Sequence, residues 1–311
     1  VHMKNDKRLL KEKLETAISE LKTKFYGIDK QLDDIKNIIM PWYVSPELLT
    51  RPIILNLWGM TGTGKTQVIR DLMDKLGIGS NFNSVVCGTE VSSYTITRMI
   101  SDNIIESNSK EIPTEGVIFL DEFQNVTTKN AIGGRNPRRD ESFWQIISTG
   151  KIQVNLSRSD VIEKVRSLRN VVENPKVDGA PCQMSAVAAL TLKQQTGSDK
   201  SIEELMKLSY RELLKFWEDY LNNPRNFQAI RYIDVSKFLF IIAGNMDQVF
   251  SHSGNTSAVE INPDAVRQSC KDVSIFDIKR GLSCQLFPEE ISRLGNNHVI
   301  FWTLSKSGFR Q

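Results

Sequence analysis

The clearest chemical signature in the sequence is a glycine-rich run at residues 59–66 (GMTGTGKT). It matches the pattern G-x-x-x-x-G-K-[ST] and lies between an apolar stretch and a segment with helical spacing. Glycines let backbone N–H groups converge on phosphate oxygens, and a helix start adds partial positive charge. We therefore predict a nucleotide phosphate loop, in which Lys65 reaches the β- and γ-phosphates and the Thr66 hydroxyl binds Mg²⁺. The predicted nucleotide-binding residues of this loop are Gly59, Thr61, Gly62, Thr63, Gly64, Lys65, Thr66 and Gln67.

Polar residues follow two further apolar runs. Residues 117–120 (VIFL) lead into Asp121 and Glu122, and residues 238–243 (FLFIIA) lead through a glycine into Asn245. Ligands bind at the carboxyl ends of strands in open α/β sheets. We predict that Asp121 holds Mg²⁺ and that Glu122 deprotonates an attacking water. Asn245 is predicted to contact the γ-phosphate or that water; the alternatives are a solvated loop for the carboxylates and an ordinary turn for Asn245.

These patterns favour ATP hydrolysis over two neighbouring chemistries. A GTPase is disfavoured because residues 245–248 (NMDQ) lack the N-K-x-D guanine pattern. A small-molecule kinase is disfavoured because paired carboxylates suit water attack. We therefore expect ATP and Mg²⁺ as cofactors.

Composition narrows the class of protein. The 311 residues are 40% hydrophobic and 25% charged, typical of a globular protein, and the net charge of +3 is too small to indicate nucleic acid or membrane. The four cysteines form no C-x-x-C pair, so neither a zinc site nor a disulfide framework is expected. This cysteine usage makes a reducing, cytoplasmic compartment the expectation. No apolar run approaches 18 residues, which predicts no membrane span.

Apolar runs alternate with amphipathic segments along most of the chain. This alternation predicts an α/β fold: a P-loop NTPase three-layer α/β/α arrangement around a mostly parallel five-stranded sheet. The predicted strands are 52–58, 84–87, 117–120, 238–243 and 298–302. The predicted helices are 4–24, 29–40 (ended by Pro41), 65–76 (ended by Gly77) and 94–105.

Residues 157–235 interrupt the alternation and are predicted to form a helical insertion. Two capping-box patterns start helices there, at Ser201 and at Ser209. The second precedes an aromatic stripe with helical spacing, for which core packing is favoured over a binding face. The stripe consists of Phe216, Trp217 and Tyr220.

Taken together, the loop, the Asp-Glu pair and three further segments resemble the AAA+ ATPase superfamily, and within it the Clp/HSP100 group. The further segments are 25–29 (FYGID), 286–294 (LFPEEISRL) and 299–306 (VIFWTLSK). The resemblance implies an N-terminal helix at 1–24, a large ATPase domain at 25–156 and 236–306, and the start of a small lid at 307–311. It also implies a homo-oligomer that remodels a macromolecular partner, most simply a protein.

The resemblance also implies roles for three residues outside the phosphate loop. Tyr26 and Ile28 would flank the adenine; the alternative is that Gly27 merely separates two helices. Arg293 would be an arginine finger that reaches into a neighbouring subunit's site. The alternatives are a solvated arginine at this position, or Arg280 as the finger.

Two other functions remain open. Residues 100–115 contain no aromatic residue and no glycine, whereas Clp-type unfoldases carry an aromatic-aliphatic-glycine pore loop in the corresponding segment. An ATP-operated switch or scaffold with slow hydrolysis is therefore one alternative. A nucleic-acid translocase is another, although no basic stripe interleaved with aromatics supports it. The basic segment 135–139 (RNPRR) fits a solvated loop better than a contact with phosphates or a neighbouring subunit.

Overall fold

The computed structural model describes residues 2–79, 82–88, 93–106, 112–130, 132–135, 142–174, 180–251, 268 and 271–302. The chain divides into two compact units. The first unit comprises residues 1–100, 114–150 and 235–311, and the second comprises residues 101–113 and 151–234.

Helices and strands alternate in the first unit, and helices dominate the second. The helices are α1 His2–Lys24, α2 Asp29–Val44, α3 Lys65–Leu76, α4 Ser93–Glu106, α5 Ser142–Thr149, α6 Arg158–Val172, α7 Ala186–Thr196, α8 Ile202–Met206, α9 Tyr210–Asn222, α10 Arg225–Gln228, α11 Asp247–Ser251, α12 Ile275–Leu282 and α13 Pro288–Arg293. The strands are β1 Ile53–Gly59, β2 Phe82–Val86, β3 Gly116–Asp121, β4 Lys151–Gln153, β5 Tyr232–Asp234, β6 Phe238–Asn245 and β7 His298–Phe301. No helix within the described ranges combines the length and the apolar character that a membrane span needs.

The first unit is built on a five-stranded sheet in the order β2-β3-β6-β1-β7, with all neighbouring strands parallel. Leu55 and Leu57 face a core that also contains buried residues of α1, α2 and α3. Trp58 and Phe240, on the opposite face, are also fully buried. Both faces are therefore covered, which confirms the predicted three-layer α/β/α fold.

The N-terminal helix α1 is part of the first unit's core. Its buried stripe packs with residues of α2 and α3 in one apolar cluster. The stripe consists of Leu14, Ala17, Ile18 and Leu21. The Lys13 ammonium also donates to the carbonyl of Leu76 (2.7 Å), at the end of α3. Helix α3 ends there as predicted, because Gly77 adopts a left-handed conformation (φ +76°).

The prediction that Pro41 ends the second helix was wrong. Helix α2 continues through Pro41 to Val44. Pro41 cannot donate the hydrogen bond to the carbonyl four residues earlier, but only the last turn of the helix follows it. Trp42, in that turn, is buried and donates its indole N–H to the carbonyl of Lys237 (3.0 Å). Burial of this large aromatic side chain stabilises the extra turn.

The second unit has its own apolar core, formed by residues of α6 to α9. Capping boxes start α8 at Ser201 and α9 at Ser209, as predicted. Trp217 and Tyr220 are buried in this core, which confirms the core-packing interpretation of the aromatic stripe. An antiparallel ribbon of β4 and β5, which was not predicted, pairs Ile152 with Ile233.

Candidate active site

The predicted functional residues of the phosphate loop and of two strand ends come together at one edge of the sheet. Because β1 and β6 are parallel neighbours in register, Gly59 lies opposite Asn245. Strand β3 adjoins β6, and its last residue, Asp121, lies at the same edge. The sheet itself therefore collects a glycine-rich loop, two carboxylates and an amide.

The phosphate loop needs glycine at particular positions for different reasons. Gly62 (φ +78°) and Gly64 (φ +84°) adopt left-handed conformations, and added Cβ atoms there would meet no neighbour. Their requirement is conformational. At Gly59, by contrast, a Cβ would lie 2.7 Å from the carbonyl oxygen of Phe301 on β7. Glycine there allows the two strands to approach each other.

Lys65 begins α3 and extends its side chain back over the loop, where it is only 6% exposed. Its ammonium donates to the carbonyls of Gly59 (3.2 Å) and Met60 (2.8 Å) and to the Asn245 side-chain oxygen (2.9 Å). Burial lowers the pKa of Lys65 to about 8, against the opposing effect of nearby carboxylates. A buried cation surrounded by neutral oxygens is suited to receive an anion.

Thr66 and Asp121, the two predicted Mg²⁺ ligands, are in direct contact. The Thr66 hydroxyl donates to Oδ2 of Asp121 over 2.9 Å. A hydroxyl and a carboxylate supply the hard oxygen donors that Mg²⁺ prefers, together with water and phosphate oxygens. These residues therefore fit the ion that the sequence predicts.

Glu122 is held by a network of amides. The Gln124 side chain donates to Oε2 of Glu122, and the Asn245 side chain donates to the same oxygen (3.2 Å). The carbonyl oxygen of the Gln124 side chain accepts from the backbone N–H of Asn245 (2.8 Å). Because Asn245 also accepts from Lys65, the ammonium, the amides and the Glu122 carboxylate are linked continuously. Glu122 itself has a left-handed backbone (φ +57°), which is unusual for a residue with a side chain.

Two polar residues of this edge were missed by the sequence analysis: Gln124, in the network above, and Asp247. Asp247 accepts hydrogen bonds from the backbone N–H (3.2 Å) and the hydroxyl (3.0 Å) of Thr61. Each lies two residues beyond a predicted site residue, Glu122 and Asn245 respectively. Their position directly beyond the ends of β3 and β6 is the signal that could have identified them.

Residues 55–150 match the family model described as "ATPase family associated with various cellular activities (AAA)". This stretch is similar to that ATPase family. It contains the phosphate loop, Asp121 and Glu122, whereas Asn245 and Arg293 lie outside the matched residues. No curated protein matches the sequence.

Two solved structures of Hsp104 resemble the chain. A chain of the S. cerevisiae Hsp104–ADP complex has a TM-score of 0.44 at 11% identity, covering 96% of this chain and 37% of that one. A chain of closed-state Hsp104 with ATPγS and FITC casein has a TM-score of 0.44 at 14% identity, covering 97% of this chain and 36% of that one. The present chain therefore spans little more than a third of either Hsp104 chain.

Outside the matched residues, Tyr26 and Ile28 lie just before and at the start of helix α2, which is bonded to strand β7 through Gln31. Gln31 donates to the carbonyl of Ile300, whose register partner on β1 is Trp58. Tyr26 is 47% exposed, while Ile28 is buried in the core beside α2. Gly27, between them, has a left-handed backbone (φ +80°) that separates α1 from α2.

Gln67 lies in the first turn of α3 and faces away from the Lys65 network. Its amide donates to Oδ1 of Asp71 (2.7 Å). Asp71 also forms an ion pair with Lys24 at the end of α1. These contacts connect the end of α1, just before Tyr26, to α3.

Arg293 is the last residue of α13 and is exposed. Within the described part of the chain it forms no hydrogen bond or ion pair, and none links it to Lys65 or Glu122. The helix is nevertheless anchored, because the buried Asn56 side chain on β1 donates to the carbonyl of Leu294 (2.9 Å). Arg280, the alternative finger, is also exposed, on α12.

The loop that follows Asp121 and Glu122 contacts residues 287–290, which precede Arg293. Arg135 forms an ion pair with Glu289 (2.8 Å) and lies over the ring of Phe287. Glu290 is fully buried and accepts from Thr128 and from the backbone N–H of Phe287 (2.8 Å). Arg135 therefore has an intramolecular partner, and residues 136–139 of the basic segment lie outside the described residues.

Proposed function

We propose that this chain binds Mg-ATP at residues 59–66 and hydrolyses the β–γ phosphoanhydride. The observation that carries the proposal is the continuous hydrogen-bond network that links Lys65, Asn245, Gln124 and Glu122 above the phosphate loop. It joins a cation suited to phosphate with a carboxylate suited to activate water.

Each residue has a defined task in this proposal. Loop N–H groups and Lys65 would bind the phosphates, and Thr66 and Asp121 would hold Mg²⁺, which would neutralise phosphate charge. Both amides donate to Oε2 of Glu122, and in the described residues Oε1 accepts no hydrogen bond. Oε1 is thus the atom to which an attacking water passes its proton. Asn245 fixes the distance between this carboxylate and the Lys65 ammonium.

We also propose that the protein acts as a Clp/HSP100-like oligomer in the cytoplasm and remodels a protein partner. The exposed Arg293, without an intramolecular partner among the described residues, supports a role in a neighbouring subunit's site. An arginine placed there would stabilise charge on the transferred phosphoryl group. By the family resemblance, Tyr26 and Ile28 would flank the base.

The decisive experiment is ATP turnover per subunit against protein concentration for the wild type, Glu122→Gln and Arg293→Ala. We expect turnover that rises with concentration in the wild type and falls by about 100-fold or more in both variants. Arg166→Ala, an exposed arginine on α6 of the second unit, is the matched control and should leave turnover unchanged.

Two results would count against this proposal. If turnover is independent of concentration and Arg293→Ala behaves like Arg166→Ala, no site is shared between subunits. If Mg-ATP binds tightly but turnover is negligible, the protein is an ATP-operated switch. ADP binding to the Glu122→Gln variant separates loss of chemistry from loss of the nucleotide site.

A further inference from the structure

A third carboxylate, in addition to Asp121 and Glu122, lies at the mouth of the phosphate loop. Asp247 uses both of its oxygens on Thr61: Oδ1 accepts from the backbone N–H (3.2 Å) and Oδ2 from the hydroxyl (3.0 Å). Both residues are exposed, so this contact is open to water and to ligands. Neither phosphate binding nor water activation requires a carboxylate at this position.

The sheet fixes the position of Asp247. Strand β6 ends opposite the last residue of β1, with Asn245 beside Gly59. The next residue, Met246, donates its backbone N–H to the carbonyl of Gly59 (3.3 Å). Asp247 is the next residue in the chain and therefore lies beside Thr61, the third residue of the phosphate loop. The contact between Asp247 and Thr61 therefore follows from the register of β6 with β1.

The end of the loop that binds Lys65 is also the end that Asp247 contacts. The Lys65 ammonium lies 3.2 Å from the carbonyl oxygen of Gly59 and 2.8 Å from that of Met60, and these two residues directly precede Thr61. The lysine of such a loop binds the β- and γ-phosphates. The outermost phosphate would therefore approach the start of the loop, where the Asp247 carboxylate lies.

We propose that Asp247 is a specificity-determining residue of the nucleotide site. Its carboxylate competes with the terminal phosphate of ATP for the start of the loop, and so weakens ATP binding relative to ADP binding. The inference rests on the proposed binding of nucleotide at residues 59–66. ATP would be affected more than ADP because its additional phosphate is negatively charged and, bound by Lys65, would lie near Thr61. The carboxylate would thereby favour dissociation of bound ATP.

The test is equilibrium binding of Mg-ADP and of Mg with a non-hydrolysable ATP analogue to the full chain. We expect Asp247→Asn to tighten binding of the ATP analogue roughly tenfold, and that of ADP by about threefold or less. The variant keeps the shape of the side chain and one acceptor for Thr61. Asp74→Asn is the matched control, since it removes an exposed carboxylate near the far end of α3 and should change neither affinity.

Salt dependence separates a charge effect from a structural one. The gain of Asp247→Asn for the ATP analogue should shrink as salt rises from about 0.05 to 0.5 M, because exposed charges are screened. Asp247→Ser, a second neutral variant, should show the same preference. An equal gain for both nucleotides, no gain, or a gain insensitive to salt overturns the inference while nucleotide binding stands. If the wild type and the variants bind neither nucleotide, the proposed function fails as well.

Discussion

The nucleotide edge, meaning the carboxyl ends of β1, β3 and β6 with residues 59–66, contrasts with the arginine helix α13. At the nucleotide edge the charged side chains of Lys65, Asp121 and Glu122 all have partners within the chain. On α13 the buried Glu290 has partners, whereas Arg293 at the helix end has none among the described residues. The chain thus pre-organises the proposed phosphate site, whereas it leaves the Arg293 side chain without a partner among the described residues. This difference is expected if Arg293 acts on another subunit.

Removing the cation of the nucleotide edge should have the largest effect. Lys65→Ala deletes the buried ammonium that we expect to bind the phosphates, so nucleotide affinity should fall by about 100-fold or more. Calorimetric titration with Mg-ADP measures this loss. Lys75→Ala, at the far end of α3 in a surface ion pair with Glu20, is the control and should bind normally. Arg293→Ala should also bind normally, and a large loss there would remove the contrast between the two regions.

Substitution of Gln124 tests whether its hydrogen bonds position the Glu122 carboxylate or contribute to nucleotide binding. Gln124→Ala removes one donor to Glu122 and the acceptor for the Asn245 N–H, so we expect turnover to fall about tenfold. ADP affinity should stay within about twofold of the wild type, because no phosphate contact is lost. Steady-state turnover and ADP titration measure the two quantities. Gln145→Ala, an exposed glutamine on α5, is the control; equal losses of affinity and turnover would mean that Gln124 is only structural.

The sequence predicted those parts of the nucleotide edge that depend on local signals. The apolar run, the glycine spacing and Gly77 together define β1, the phosphate loop and α3. Gln124 and Asp247 escaped prediction because their roles depend on the register between strands that are far apart in the sequence. The same register brings Asp121 and Asn245 to one edge, which the rule for parallel sheets did predict.

Tertiary contacts also explain the elements that were misjudged or missed. Helix α2 passes Pro41 because Trp42 is buried beyond it, and burial of a side chain cannot be inferred from a local proline rule. The ribbon of β4 and β5 has only three residues in each strand, too few for an alternating pattern to stand out. Arg293 was singled out by family resemblance alone, and its role remains a prediction.

Glu290 tests how firmly the arginine helix is fixed. Glu290→Gln replaces a buried acceptor of two hydrogen bonds with an amide that presents N–H groups, and we expect a loss of about 1–3 kcal/mol in unfolding free energy. In Glu290→Gln, the turnover that depends on protein concentration should also fall, while ADP affinity should stay the same. Glu289→Gln removes only a surface ion pair with Arg135, and should cost less than about 1 kcal/mol. Urea unfolding of both variants measures the difference; equal losses would show that α13 is not held by Glu290.

The smallest predicted effect concerns His298, which connects the end of the arginine helix to β1. Its Nδ1 accepts from the Trp58 indole N–H (2.9 Å), so the proton on Nε2 is donated to the carbonyl of Gly295 (2.9 Å). Burial lowers the pKa of His298 below its ordinary value of 6.5, a shift that the Gly295 hydrogen bond opposes and the nearby Lys279 charge reinforces. The neutral imidazole is therefore the form that fits the folded state.

The sign of the pH dependence follows from this shift. Above about pH 6.5 the imidazole is neutral in both the folded and the unfolded chain, and its contribution to stability does not change. As pH falls below that value the unfolded chain takes up the proton first, so unfolding free energy decreases until the folded-state pKa is reached. The slope from this group is at most about 1.4 kcal/mol per pH unit. Between pH 7.5 and 5, the unfolding free energy measured with urea should decline less steeply for His298→Gln than for the wild type. Parallel declines would mean that protonation of His298 does not cause the pH dependence.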